Sequence, residues 1–430
     1  MPENIKDKLE KIDKEHFSLL VDIGKVAKEE NLKAYLVGGM VRDILLGFNN
    51  LDMDIVVEAN ASKLANALVK KFPNCELSAK HDRFHTAKVI FTINEGKIPI
   101  DLASTREEVY EYPAALPQVN VSDLQKDLYR RDFTINALAV SLLPEDFGEI
   151  VDLFDGLSDL KNKKIKILHD LSFIDDPTRI IRAIRFSVKL GFETEAHTKQ
   201  LLDQAINSRQ FDSLIEKIRG DRVKTEIRYL FNLPNTSQAL KDFFESGIYR
   251  MISTMLEPCH MTTLTNIPET NSIKQWLIYL AFIIKDLDKK GQEETLKNLQ
   301  LTGEEIKIIN NGLIAHKNLS ALILANGEIN SVAIYKELKE LAMESIFITK
   351  LLFSNNKTLL LLIDDYIRNT SHIKLRITGQ DLISIGIKEG KAIGKILNKI
   401  LEVKIEKPNM SQEDEILEAE KIFTNKTYEE

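Results

Sequence analysis

The stretch Leu36-Val-Gly-Gly-Met-Val-Arg-Asp-Ile-Leu-Leu-Gly47, followed by Leu51-Asp-Met-Asp-Ile-Val-Val57, restricts this chain more than any other. The apolar run from Ala34 to Val37 reads as a strand that stops at Gly38-Gly39. Two adjacent glycines let a backbone turn tightly and approach a ligand, because no Cβ intervenes. Val41, Ile44 and Leu45 then fall on one side of a helix that opens with Arg42-Asp43 and stops at Gly47. A short polar loop leads into a second strand carrying Asp52 and Asp54. Side chains on a strand alternate between faces, so residues two apart project the same way. Two carboxylates are thereby aimed at one point, the arrangement that holds a divalent cation over a phosphate.

Taken together, strand, Gly-Gly turn, helix with arginine, glycine stop and Asp-x-Asp strand resemble the nucleotidyltransferase superfamily signature. The form is that of class II CCA-adding enzymes and bacterial poly(A) polymerases. The resemblance implies that Gly38, Gly39 and Arg42 bind the nucleotide, and that Asp52 and Asp54 are catalytic and carry two Mg²⁺ ions. Two more strands are expected at Ala87–Ile93 and Ile98–Ala103, after a helix near Ala61–Phe72. Asp101 on the second is either a third metal ligand or a solvated strand residue. Residues 107–122 hold two prolines and no periodicity, which reads as a loop; in the family the equivalent segment is a flexible loop beside the active site.

Asp127-Leu-Tyr-Arg-Arg-Asp-Phe-Thr-Ile-Asn-Ala-Leu-Ala-Val140 reads from its stripe as an amphipathic helix with charged flanks. It also resembles the family motif Arg-Arg-Asp-Phe-Thr-x-Asn-Ala. That likeness implies that Arg131 and Asp132 face the triphosphate and Asn136 the sugar. An arginine suits phosphate oxygens because its donors form a rigid fork. Val151 to Leu160 resembles the family's link between head and neck.

Asp175-Asp-Pro-Thr-Arg-Ile-Ile-Arg-Ala-Ile-Arg-Phe186 begins as a helix should, with Asp as cap and Pro177 in the first turn. Ile180, Ile181, Ile184 and Val188 supply its buried stripe. Asp176 and Arg179 are three apart and so neighbours on one helical face, an acceptor beside a fork of donors. Cytosine and adenine each offer an exocyclic amine next to a ring-nitrogen acceptor, whereas uracil and guanine reverse that order. An Asp/Arg pair can therefore select C and A without a template. The family's Glu-Asp-x-x-Arg motif is credited with that role, although Asp175 stands here where the family has Glu. Arg182 and Arg185 continue the helix as further nucleotide-binding candidates. Gly220 to Phe231 loosely resembles a neck motif, in which Arg222 and Glu226 read as structural.

The rest of the chain reads as helical and rich in Leu and Ile. Helices are expected near 5–29, Ser237–Glu245, Ile273–Lys285, Glu304–His316, Val332–Lys350 and Lys357–Arg368, with turns at Asn326-Gly327 and Asn355-Asn356. Ile377 to Gly394 resembles the family's tail signature. Its lysines Lys388, Lys391, Lys395 and Lys399 are either RNA-phosphate ligands or a solvated face. Residues 409–430 read as a polar helix with a frayed end.

Composition sets the outer bounds. The chain has 430 residues and a net charge of -7, against a coat of nucleic acid but compatible with a local basic face. The 2 cysteines, Cys75 and Cys259, are too few for a disulfide framework or a zinc site. Neither a signal peptide nor an apolar run of the ~20 residues needed to span a bilayer is present, which makes cytoplasmic the expected location. The expected fold is an α/β nucleotidyltransferase head followed by an all-α neck, body and tail. Expected divisions are an N-terminal helix (1–30), head (31–155), neck with the base-recognition helix (156–255), body (256–370) and tRNA-binding tail (371–430). The resemblance implies addition of C and/or A to the 3′ end of tRNA from CTP and ATP. Alternatives are a poly(A) polymerase, against which the acidic end from Gln412 argues, and a non-catalytic RNA-binding protein on the same scaffold. Oligomeric state is not readable.

Overall fold

A computed structural model describes residues 3–81, 85–94, 96–258, 273–327 and 329–424. Cys259 and the last residues of the chain's end lie outside them. The chain forms two compact units, Met1–Thr254 and Met255–Glu430.

The first unit opens with helices α1 (Lys6–Leu9) and α2 (Lys14–Glu29), where one helix over 5–29 was expected. Asp13 causes the break: its carboxylate accepts the N–H groups of Glu15 and His16 and caps α2. Strand β1 (Ala34–Val37) and helix α3 (Gly39–Leu46) follow, with Gly47 in the left-handed region as the helix stop. Then come β2 (Met53–Val57), α4 (Ala61–Lys71), β3 (Cys75–His81), β4 (Thr86–Ile93) and β5 (Gly96–Ser104). The segment read as a loop at 107–122 instead contributes to an antiparallel hairpin, β6 (Arg106–Val109) and β7 (Gln118–Val121). Nor is 127–140 one helix. Its residues divide among α5 (Leu124–Tyr129), a 3₁₀ turn at Thr134–Asn136 and β8 (Leu138–Ser141), because the apolar stripe serves a sheet here. β9 (Ile150–Asp152) completes a seven-stranded mixed sheet in the order β3-β4-β5-β2-β1-β8-β9.

Period-two alternation sorts the side chains of this sheet. Leu36, Ile55, Val57, Ile100, Leu102, Leu138 and Val140 join Leu20, Ile23, Leu64 and Leu68 of the helices in the main core. Val37, Val56 and Ala139 project oppositely, against Leu124 and Leu128 of α5. Asp54 shares that second face, and the parallel pairing of β2 with β5 sets it level with Asp101. Beyond the sheet run α6 (Gly156–Lys161), β10 (Lys164–Ile165), α7 (Ser172–Asp175), α8 (Thr178–Leu190) and β11 (Glu193–Thr194). Four more helices, α9 (Ala196–Asn207), α10 (Leu214–Lys217), α11 (Gly220–Phe231) and α12 (Thr236–Glu245), end the unit.

The second unit is helical throughout its described residues. It holds α13 (Gln275–Ile284), α14 (Lys289–Asn298) and the 24-residue α15 (Gly303–Asn326), longer than the expected 304–316. The stretch 332–350 is two helices, α16 (Ser331–Leu338) and α17 (Met343–Leu352), separated by a turn. α15 and α17 meet closely because Gly312 carries no side chain: a Cβ there would lie 2.6 Å from that of Ile348. Thr349 Oγ1 donates to the Gly312 carbonyl at 3.1 Å across the same junction. α18 (Lys357–Arg368), α19 (Gly379–Ser384), α20 (Lys391–Glu406) and α21 (Gln412–Thr424) complete it. Fully buried Glu415 pairs with Lys404 and accepts the backbone N–H groups of Arg376 and Ile377, tying the last helix to the chain before α19. Among the described residues no helix is long and apolar enough to cross a membrane.

One close approach in the first unit yields a stability test. Gly24 of α2 packs where a Cβ would lie 1.7 Å from the backbone carbonyl oxygen of Leu142. Gly24→Ala should therefore cost about 2–3 kcal/mol through forced displacement of helix from sheet, despite alanine's better helix propensity. Thermal melting of the variant beside wild type checks this, and an unchanged or raised Tm refutes it.

Candidate active site

The Gly-Gly turn places the backbone of Gly38 at φ +74°, a conformation that L side chains rarely adopt. A Cβ at Gly38 would stand 3.2 Å from Arg131 Nη1 and 3.9 Å from Asp54 Oδ2. The bare turn thus lets an arginine and an acid converge beside the start of α3. Arg131 is anchored through Nη2 to fully buried Asp127 at 3.0 Å, while its buried Nε has no hydrogen-bond partner. Arg130 shares Asp127 and also reaches Glu108 of the β6–β7 hairpin at 3.0 Å. Burial works against ionisation of Asp127, but Arg131 and Arg130 outweigh it and hold the carboxyl below the usual range.

Asp52 and Asp54 differ from these saturated acids. Among the described residues neither side chain takes a hydrogen bond or an ion pair. Asp54 is open to solvent along its edge, yet the protein packed around it raises its carboxyl pKa. Arg131 opposes that rise, and Asp101 and Asp52 add to it. Hard oxygen donors that repel one another suit a hard divalent cation. No three His, Cys, Asp or Glu side chains among the described residues converge closely enough to enclose an ion alone. Such a cation would keep positions for water and phosphate oxygens, as Mg²⁺ sites do. Asp101 sits level with Asp54 but is paired with Lys88 at 3.0 Å.

A run of buried polar contacts leads away from this point. Asn50 accepts the backbone N–H of Asp52 and donates to Asp43 at 2.8 Å. Asp43 accepts Arg42 Nε at 2.7 Å, and Arg42 Nη1 donates to Asn136 Oδ1 at 2.6 Å. Asn136 donates in turn to Asp132 Oδ1 at 3.0 Å. Arg182 grips Asp132 Oδ2 with Nε at 2.9 Å and Nη2 at 2.5 Å, and gives Nη1 to Glu226. Glu226 also accepts Arg185 Nε at 2.9 Å. Burial raises the cost of charging Asp132, but Arg182 and Asn136 more than compensate and keep it ionised. The Phe186 ring lies under three of the guanidiniums, 5.0 Å from Arg42, 5.5 Å from Arg182 and 4.4 Å from Arg185.

Farther along, Asp176 precedes α8 in extended conformation, with Pro177 at the helix cap. It caps in part, accepting the N–H of Thr178 at 3.0 Å. Arg179 is buried and donates to Ser172 Oγ and to the Arg130 carbonyl, both at 2.6 Å. Gly38, Gly39, Arg42, Asp54, Arg131, Asp132, Asn136, Asp176, Arg179, Arg182 and Arg185 all line one cavity of about 760 Å³. Asp52 and Asp101 do not line it; Asp101 borders a neighbouring cavity of about 470 Å³ that shares Asp54, Arg130 and Arg131.

Sequence reasoning missed several members of the lining: Glu108, Tyr110, Thr178, Lys189, Arg222 and Glu226. Glu226 carried a signal, since it occupies a buried position on the amphipathic face of α11. Lys388, Lys391, Lys395 and Lys399 lie apart in the second unit, all exposed. The last three recur every fourth residue on one side of α20.

Known proteins agree with this geometry. The family described as Poly A polymerase head domain matches residues 34–166. The A-adding tRNA nucleotidyltransferase of Geobacter sulfurreducens is 30% identical over 93% of this chain, which spans 46% of that protein's length, about half. The Thermotoga maritima CCA-adding enzyme complexed with tRNA is 31% identical with a TM-score of 0.77, covering 97% of this chain and 98% of that one. A CCA-adding enzyme solved with CTP is 30% identical with a TM-score of 0.77, covering 98% of each. With such identity over nearly the whole of both chains, on a head that carries the Gly-Gly and Asp-x-Asp elements, this chain belongs to the family of CCA-adding enzymes.

Proposed function

We propose that the chain is a tRNA nucleotidyltransferase that adds C and/or A to the tRNA 3′ end from CTP and ATP, releasing pyrophosphate in the cytoplasm. The observation that carries this is one cavity joining a phosphate end, at Gly38, Arg131 and Asp54, to a base end at Asp176 and Arg179. Nucleotidyltransferases of this family use divalent metal, and Mg²⁺ on Asp52 and Asp54 would supply charge neutralisation and acidify the RNA 3′-hydroxyl. The backbone of Gly38 and Gly39 approaches the triphosphate, and Arg131 meets it with donors that Asp127 has already aimed. Asp132 and Asn136 have their polar atoms bound by protein, so they act on the nucleotide through the arginines they orient, Arg182 and Arg42. Arg185 adds charge on the same wall. At the far end Asp176 accepts an exocyclic amine while Arg179 donates to the neighbouring base acceptor, admitting C and A. Asp101, level with Asp54, borders the neighbouring cavity and is a further candidate ligand for that metal.

tRNAs ending before C, before the second C and before A, each given single NTPs, should take up C, A or both in that order. Repeated A addition to any RNA would instead indicate a poly(A) polymerase, and no incorporation a binding protein. Asp52→Ala and Asp54→Ala should each lower incorporation by about a thousandfold or more while tRNA still binds. Near-normal turnover in either refutes the metal assignment.

Asp132→Ala should leave Arg182 and Asn136 without their shared acceptor, costing about 3–5 kcal/mol as a broken buried pair does. The same variant should raise the KM for NTP, read from steady-state kinetics at a temperature below its lowered Tm. A wild-type Tm would mean that the contact is dispensable.

For the tail we propose that Lys388, Lys391, Lys395 and Lys399 meet phosphates of the tRNA body. Replacing all four by Gln should reduce the slope of log affinity against log salt by about 3, since each phosphate contact releases close to one counterion. An unchanged slope places the RNA elsewhere.

A further inference from the structure

Asp176 and Arg179 are opposite charges three residues apart, and left to themselves they would pair with each other. They do not. Each is tied to a different partner. Two hydrogen bonds and one ion pair converge on a single oxygen of Asp176, Oδ1. They come from the Thr178 N–H at 3.0 Å, the Thr178 hydroxyl at 2.6 Å and Arg222 Nη2 at 2.9 Å. Oδ2 accepts nothing from the described residues. Arg179 is pulled the other way, with Nη1 on Ser172 Oγ and Nη2 on the Arg130 carbonyl. Its side chain is buried, and the side chain of Asp176 is 18% exposed.

We infer that Arg222 of α11 is a specificity-determining positioning residue: by occupying Oδ1 of Asp176 it prevents collapse of the Asp176/Arg179 pair. The inference rests on the base-edge reading of Asp176 and Arg179. It assigns to a third residue the job of keeping both groups available. A base presents its amine and its acceptor side by side, so it needs an acceptor and a donor that are adjacent but not bonded together. Pinning Oδ1 from three directions fixes rotation of the carboxylate and leaves Oδ2 as the only open acceptor. It also gives the carboxylate a cationic partner other than Arg179. Without Arg222 the Asp176 carboxylate loses the one cation it is paired with among the described residues and is free to turn onto Arg179. The site would then offer a self-satisfied ion pair, which any base meets equally poorly. Arg222 would not touch the base in this scheme, and its effect passes through Asp176.

The test is kcat/KM for all four NTPs on a tRNA lacking its 3′ end, measured for wild type, Asp176→Asn, Arg222→Met, Arg222→Lys and Arg222→Gln. Arg222→Met should lower the preference for C and A over U and G by about ten- to a hundredfold, the scale of a misplaced site group. KM for CTP and ATP should carry most of the change. Arg222→Lys keeps a cation in reach of Oδ1 and should recover most of the preference. A folded Arg222→Met with wild-type selectivity overturns the inference, as does an Arg222→Lys that is no better than Met. In either case altered selectivity in Asp176→Asn would show that the base-edge reading survives, and unaltered selectivity that it has failed as well. If Arg222→Met does not fold, Arg222→Gln decides, because it removes the cation from Asp176 while keeping a polar side chain at this partly exposed position. Reduced selectivity in that variant supports the inference, and wild-type selectivity refutes it.

Discussion

The run of buried charges from Asp43 through Arg42, Asn136, Asp132 and Arg182 to Glu226 and Arg185 underlies everything else in the first unit. It joins α3, the 3₁₀ turn after α5, α8 and α11, elements far apart in sequence. Ion pairs of this kind contribute little net stability, because desolvation cancels most of the attraction. What they contribute is direction. The planar guanidiniums of Arg42 and Arg182 are each held at two or more nitrogens and that of Arg185 at Nε, so their remaining donors point where the neighbouring acids leave them. A cavity that must meet a polyphosphate gains from arginines that need no reorientation when the anion arrives. Phe186 beneath three of them restricts the same groups from the apolar side.

Much of this was legible in the sequence, and the reason is local. Gly38-Gly39, the glycine stop at Gly47 and the alternation around Asp54 each express a conformational rule acting over a few residues. Hence β1, α3, α4 and α18 fall where spacing puts them, and β2 carries Asp54 as expected but begins at Met53, leaving Asp52 just before the strand. Residues named from the resemblance, the arginines of α8, Asp176 before it, and Arg131, Asp132 and Asn136 before β8, line one cavity. The failures have a common cause as well. Residues 138–141 form a strand because β1 and β9 flank them, and nothing within the segment announces those neighbours. The hairpin at 106–121 likewise depends on pairing across a proline-bearing turn. Asp13, by contrast, was a readable cap that the long stripe over 5–29 concealed.

Partnership was the least visible property. Asp176 and Arg179 both line the cavity, but their separation by three residues suggests a mutual contact that does not occur. Arg222, 46 positions beyond Asp176 by residue number, takes that place instead. In the same way Asp132 reads as an open acceptor until its four donors are counted: Phe133 N–H, Asn136 and two nitrogens of Arg182. A motif fixes which residues are present, and the fold decides which of their atoms are spent.

The lining of the cavity has a further meaning for traffic to it. Eight cationic and six acidic side chains face it, within a chain whose net charge is -7. Outside this recess acidic side chains therefore outnumber basic ones. A polyanion is repelled by a net negative surface and drawn to a basic recess. Such a distribution of charge works as a sieve, discouraging idle adsorption of polyanions on the outer surface while leaving the recess open to them.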